Sequence, residues 1–93
     1  MIIVSAQVKL YAPWVQTLKE KRMVVKSLVA KIHNQFNVSV AETGEQDTHK
    51  TILLGVACVA DSASFADAVV NRVISFIEEN TEAEICDILR EIR

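Results

Sequence analysis

Ten consecutive residues, Thr51 to Ala60, read Thr-Ile-Leu-Leu-Gly-Val-Ala-Cys-Val-Ala and carry no charge. A near-continuous apolar run of this length predicts a strand in the interior of a sheet. A second segment, residues 2–11, alternates apolar and polar residues from Val4 onward, which is the period of a strand with one buried face. Pro13 follows and stops the ladder by removing a donor.

Between these strands lies a helical pattern. Thr17-Leu18-Lys19-Glu20 has the form of a capping box. Behind it Leu18, Val25, Leu28, Val29, Ile32 and Phe36 recur at helical spacing, in a stripe of about 100°. The spacing predicts a helix from Leu18 to about Asn34. Asn37 to Thr43 forms a further strand, and Gly44-Glu45-Gln46-Asp47 a turn. The strands on either side of that turn therefore make a hairpin with a polar tip.

After Ala60, Asp61, Ser62 and Ser64 signal a second helix start, with Ser64-x-x-Asp67 as a candidate box. Phe65, Val69, Val73, Phe76 and Ile77 define its apolar face, and it ends near Glu79-Asn80. Residues 81–90, with Ile85 and Ile88 among acids, read as a strand or a short helix, and after two helices that each follow a strand the closing edge strand is preferred. The order β-α-β-β-α-β is the split βαβ, or ferredoxin-like, pattern. Right-handed crossovers place both helices on one face of an antiparallel sheet. Strands one and three are then central, and strand four pairs with strand one. The 93 residues make one such α+β domain, spanning 1–93.

Much chemistry is absent. Only Gly44 and Gly55 are glycine, so no glycine loop can cradle a phosphate. There is no Cys-x-x-Cys and no His-x-x-x-His, so neither a metal site nor a cofactor is expected. Cys58 on strand three and Cys86 on strand four are separated by strand one, or about 10 Å, too far for a disulfide. Both are expected to be buried, reduced thiols. Ser, His and Asp occur without a nucleophile elbow, and no catalytic residue is assigned. Aromatic residues are 5% of the chain. Ser5, Gln7, Ala57 and Cys58, the candidate open-face positions, include none, so the sheet is not expected to stack bases. No apolar run reaches the roughly 18 residues of a membrane span, and Met1-Ile2-Ile3-Val4 is not expected to be a targeting segment, since it has no basic n-region and Gln7 and Lys9 follow closely. The expected compartment is the cytoplasm.

Charge is the one suggestive feature. The net charge of -2 divides unevenly: residues 1–50 carry seven Lys/Arg and four Asp/Glu, residues 51–93 three and eight. The basic excess clusters on the first helix at Lys19, Lys21, Arg22, Lys26 and Lys31. Taking Leu18 as zero, Arg22, His33, Lys26 and Lys19 lie at about 40°, 60°, 80° and 100°, flanking the core stripe, with Lys21 on the opposite flank. Cations in a first turn oppose the helix dipole, so helix stability does not account for them. Lys19, Lys21, Arg22 and Lys26 are accordingly candidate anion or RNA contacts. Read without function, they form a solvated helix face whose stems cover the core edge. The hairpin tip adds Gln46, Asp47 and His49 as polar candidates. His33 reads as a surface or interface residue. A partly apolar open sheet face is the third candidate, for a second copy or another partner.

Leu18-Lys19-Glu20-Lys21-Arg22, Val24-Val25-Lys26-Ser27-Leu28, Phe36-Asn37-Val38-Ser39-Val40-Ala41-Glu42 and Gln46-Asp47 resemble the YlxP-like family, a bacterial domain of unknown function. The resemblance covers nearly the whole chain. It implies a ferredoxin-like fold and no assigned enzyme activity. Genes of that family often neighbour those of a translation initiation factor and a ribosome-binding factor, which implies the ribosome or RNA as partner. The family pattern carries over to Lys19, Lys21 and Arg22 on the helix and to Gln46 and Asp47 in the hairpin. The chain departs from it after Asp47, where Thr48-His49-Lys50 replace the family's frequent Leu and aromatic residue. Two expectations result. One is a non-enzymatic module for structured RNA or the ribosome that uses the basic first helix. The other is a homodimeric interaction domain without nucleic-acid binding.

Overall fold

Val4, Ala6, Val8 and Leu10 all point to one side of β1 (Ile2–Tyr11) and are buried. The alternation read from sequence is therefore the pleat of a strand with one covered face. In the computed structural model, which describes residues 1–93, β1 is followed by α1 (Leu18–Gln35), β2 (Ser39–Gly44), β3 (Thr51–Ala60), α2 (Ala63–Asn80) and β4 (Glu84–Ile92). The sheet order is β2-β3-β1-β4, and every neighbouring pair is antiparallel. β1 and β3 are central, as the sequence predicts.

The register sets the two faces. Val4 lies opposite Cys58, Ala6 opposite Val56, Val8 opposite Leu54 and Leu10 opposite Ile52. These eight side chains meet Val25, Leu28 and Ile32 of α1 and Val69, Val70, Val73 and Ile77 of α2 in one hydrophobic core. Burial of this apolar surface is the main stabilising term, at roughly 25 cal/mol per Å². Phe36 and Phe76 close the helix layer edge to face, with ring centroids 5.5 Å apart.

The start of α1 is as expected, and that of α2 differs in detail. Thr17 caps α1, and its Oγ1 accepts from the Glu20 N–H at 3.1 Å. For α2 the cap is Ser62, whose Oγ accepts from the Phe65 N–H at 3.1 Å; Ser64 already lies in the first turn, so it heads no box. The buried face of α2 comprises Ala66, Val69, Val70, Val73 and Ile77, so Ala66 lies in the core and Phe65, expected there, is 59% exposed. β2 starts two residues later than expected, at Ser39.

Gly55 is required by a close approach. A Cβ there would lie 2.5 Å from Cγ2 of Thr43, whose side chain reaches over it from β2. β4 carries a bulge: Lys9 pairs with Asp87 and Leu10 with Ile85, which leaves Cys86 without a partner on β1. Cys86 is exposed and Cys58 buried, both unpaired, so the expectation of two buried thiols is corrected for Cys86. Cys58 also faces the helices, opposite Val4, and not the open side of the sheet. Strand alternation forbids neighbours such as Ala57 and Cys58 from sharing a face. Arg90 ties the edge strand to α2, reaching Asp67 and Asn71.

Candidate functional site

α1 sorts its cations into two groups. Lys19, Arg22, Lys26 and Lys31 are exposed, and none has an ion-pair partner. Lys21 is 1% exposed. Its Nζ donates to the carbonyls of Glu45 and of Thr48, the latter at 2.6 Å. Glu42 Oε2 lies 2.9 Å from the same nitrogen. That contact has the distance of an ion pair without the angle of a hydrogen bond, and Glu42 Oε2 has no other partner.

Lys21 therefore faces inward and is removed from the set of anion contacts. On the helical wheel it falls at about 300°, between Leu28 at about 280° and Ile32 at about 320°. Its position was inside the core stripe, not on its flank. Burying an ammonium is tolerated only where acceptors surround it. Two carbonyl acceptors and one carboxylate, all from one hairpin, do so here. They hold the turn in which Glu45 adopts φ 57°, a left-handed conformation unusual for a residue other than glycine.

This arrangement gives the hairpin tip a fixed shape. Gln46 and Asp47 are exposed and His49 is half-buried. Gln46 Nε2 donates to the Glu42 carbonyl at 3.5 Å. The tip and the basic surface are thus tied through Lys21, although the two candidate sets do not converge on one cavity. His33 is exposed near the end of α1.

The hairpin's own lysine, Lys50, organises the β1–α1 loop. Its Nζ donates to the carbonyls of Pro13 at 2.7 Å and Val15 at 3.0 Å, and its own carbonyl accepts from Ala12 N–H at 2.8 Å. Val15 is fully buried. Between these anchored neighbours stands Trp14, 41% exposed. It borders a groove of about 390 Å³ beside α1. Sequence reasoning missed this groove. The available signal was a lone Trp in a loop after Pro13, next to the helix that carries the basic cluster.

The open sheet face is shallow in its middle. Ser5, Gln7, Ala41, Gly55 and Ala57 border a trough of about 350 Å³ with no aromatic residue. Of the exposed apolar residues of β4, Leu89, opposite Gln7, lies on this face, whereas Ile88 and Ile92, opposite Val8 and Val4, lie on the helix side at the sheet edge. No three His, Cys, Asp or Glu side chains come together in a way that could hold a metal ion. No helix is long and apolar enough to cross a membrane.

Residues 3–90 match the family model described as "Protein of unknown function (DUF503)". The chain belongs to this family. It is also 40% identical over 68 residues to the uncharacterised protein YlxP of Bacillus subtilis (strain 168), an alignment covering 73% of this chain and 74% of that one. The resemblance drawn from the Leu18–Arg22 and Phe36–Glu42 segments is thereby established. Among solved structures, a de novo designed protein with a ferredoxin fold superposes with a TM-score of 0.63 over 100% of this chain and 86% of its own. At 20% identity that likeness shows the fold of this DUF503 member and nothing of its function.

Proposed function

We propose that the chain is a non-enzymatic binding module for structured RNA, with the ribosome as its setting. One observation carries this reading: Lys19, Arg22, Lys26 and Lys31 project from one helix with no acidic partner, while the three ion pairs engage Lys21, Arg90 and Arg93. Unpaired cations clustered on one element in a chain of net charge -2 create a local positive potential. The phosphate backbone is the partner that such a surface favours. The fixed hairpin tip supports it with exposed Gln46 and Asp47. His49 is less accessible there.

The test is co-sedimentation of the purified protein with ribosomes at low and moderate salt, beside a Lys19→Ala/Arg22→Ala/Lys26→Ala variant. The expected result is that the wild type pellets with ribosomes and that either salt or the variant abolishes this. Failure of the wild type to pellet at low salt sinks the reading.

A second reading, a homodimer, draws on the exposed Ile88, Leu89 and Ile92 of the β4 edge. A two-fold pairing of β4 centred on Leu89 would set Asp87 against Glu91 of the other copy, which opposes it. Light scattering at tens of micromolar decides: a monomer there removes this reading.

A further inference from the structure

We infer that the groove beside Trp14 seats an unpaired nucleobase of the bound RNA, with the indole as its stacking platform. This inference rests on the RNA reading above and adds a site that the basic row does not supply. The groove is lined by Trp14, Met23 and Val24 on its apolar side and by Ser27, Lys31 and Asn80 among its polar groups. Trp14 is 41% exposed and Met23 65% exposed. A flat π-face beside a soft thioether suits a planar, polarizable ring. Ser27 and Asn80 offer donors and acceptors toward the edge of such a ring.

Two observations separate this groove from ordinary surface exposure. The first is rigidity. Lys50 holds the carbonyls on both sides of Trp14, and Val15 is fully buried, so the loop presenting the indole is anchored before anything binds. A preorganised aromatic loses little freedom on binding. The second is charge. Lys19, Met23, Ser27 and Lys31 are spaced four apart and form one row along α1, about 18 Å from end to end at 1.5 Å per residue. Arg22 and Lys26 flank that row. A strand whose phosphates follow the four free cations passes the rim of the groove, where a base can turn in. Glu82 on the opposite rim and Glu20 on the helix are the acidic neighbours. Glu82 disfavours phosphates on its own rim, whereas Glu20, the one acid of α1, lies on the groove side of the row. The same surface is poorly matched to an acidic, wholly solvated partner, because the Trp14–Met23 face would stay uncovered.

Trp14 is the chain's one tryptophan, so its emission reports on this site alone. Its quenching by acrylamide is measured for the wild type, free and with purified ribosomal RNA, while binding is followed separately by filter retention. Bound RNA is expected to protect Trp14 from acrylamide. Trp14→Leu is expected to weaken retention about 5- to 100-fold, and Trp14→Phe to keep most of it, as loss and retention of one stacked base predict. If RNA is retained while Trp14 stays equally accessible and Trp14→Leu binds as well as wild type, the inference is overturned and the RNA reading survives. If no RNA is retained at low salt, both fall. Protection by RNA-free ribosomal proteins, with none by ribosomal RNA, also overturns it. The accessibility measurement needs no variant, so the conclusion does not depend on the folding of Trp14→Leu.

Discussion

Lys21 Nζ lies 2.6 Å from the Thr48 carbonyl, across 27 residues of chain, and beside Glu42 Oε2 at 2.9 Å. A helix that displays four cations to solvent thus uses its fifth to fasten a hairpin. The role differs because the surroundings differ: Lys21 sits among Val25, Leu28 and Ile32, whereas Lys19 and Arg22 face water.

Removing one member of that buried pair leaves the other uncompensated. Lys21→Met is expected to lower stability by about 3 kcal/mol, which lowers Tm by more than about 10 °C in a chain of this size. Glu42→Gln is expected to lower it by less, because the ammonium keeps two carbonyl acceptors. Thermal unfolding of both variants checks the order. Equal small shifts would mean that the ammonium contributes little to the hairpin.

The exposed cations behave in the opposite way. Lys19→Ala and Lys26→Ala are expected to change stability by less than about 0.5 kcal/mol. Each is expected to reduce the dependence of log affinity for RNA on log salt by about one. Binding isotherms over a salt series measure this. Slopes unchanged from wild type would show that these side chains do not meet phosphates.

Gly55 lies beneath Thr43, where a new Cβ would meet the methyl at 2.5 Å. Gly55→Ala is expected to destabilise by about 1–3 kcal/mol, as overpacking does. Thr43→Ala in the same chain should restore most of that loss, because it removes the atom in the way. Denaturant unfolding of the two singles and the double closes the cycle. Full additivity would contradict the contact.

The two thiols should react very differently. Cys86 sits exposed at the β4 bulge, and Cys58 is buried against the helices. A thiol reagent is expected to titrate one group per chain quickly under native conditions and the second only on unfolding. Cys86→Ser removes the fast phase. Two fast thiols would show that the helix layer opens readily over β3.

The element order was legible because strand and helix periods are local properties of the chain. The Thr51–Ala60 run appears as a strand with the same ends, and the Thr17 cap starts α1 where its spacing places it. Local signals offered Asp61, Ser62 and Ser64 as starts of α2 without choosing among them, and in the structure Ser62 is the cap. The side of the sheet on which Cys58 lies also follows from alternation alone. Cys86 does not, because its bulge arises from how β4 meets β1.

The sequence by itself determined the six elements and the basic character of α1, which rest on periodicity and composition within short windows, and the sheet order, which follows from the element order and the handedness of the crossovers. The tertiary structure alone decided which cations face solvent. Lys21 lies next to Arg22 in the chain, but its acceptors come from Glu42, Glu45 and Thr48, more than 20 residues away. It likewise decided that Trp14 borders a groove, since the walls come from α1 and from the end of α2. Solvation and burial are set by what packs around a side chain, and for these residues those neighbours are distant in sequence.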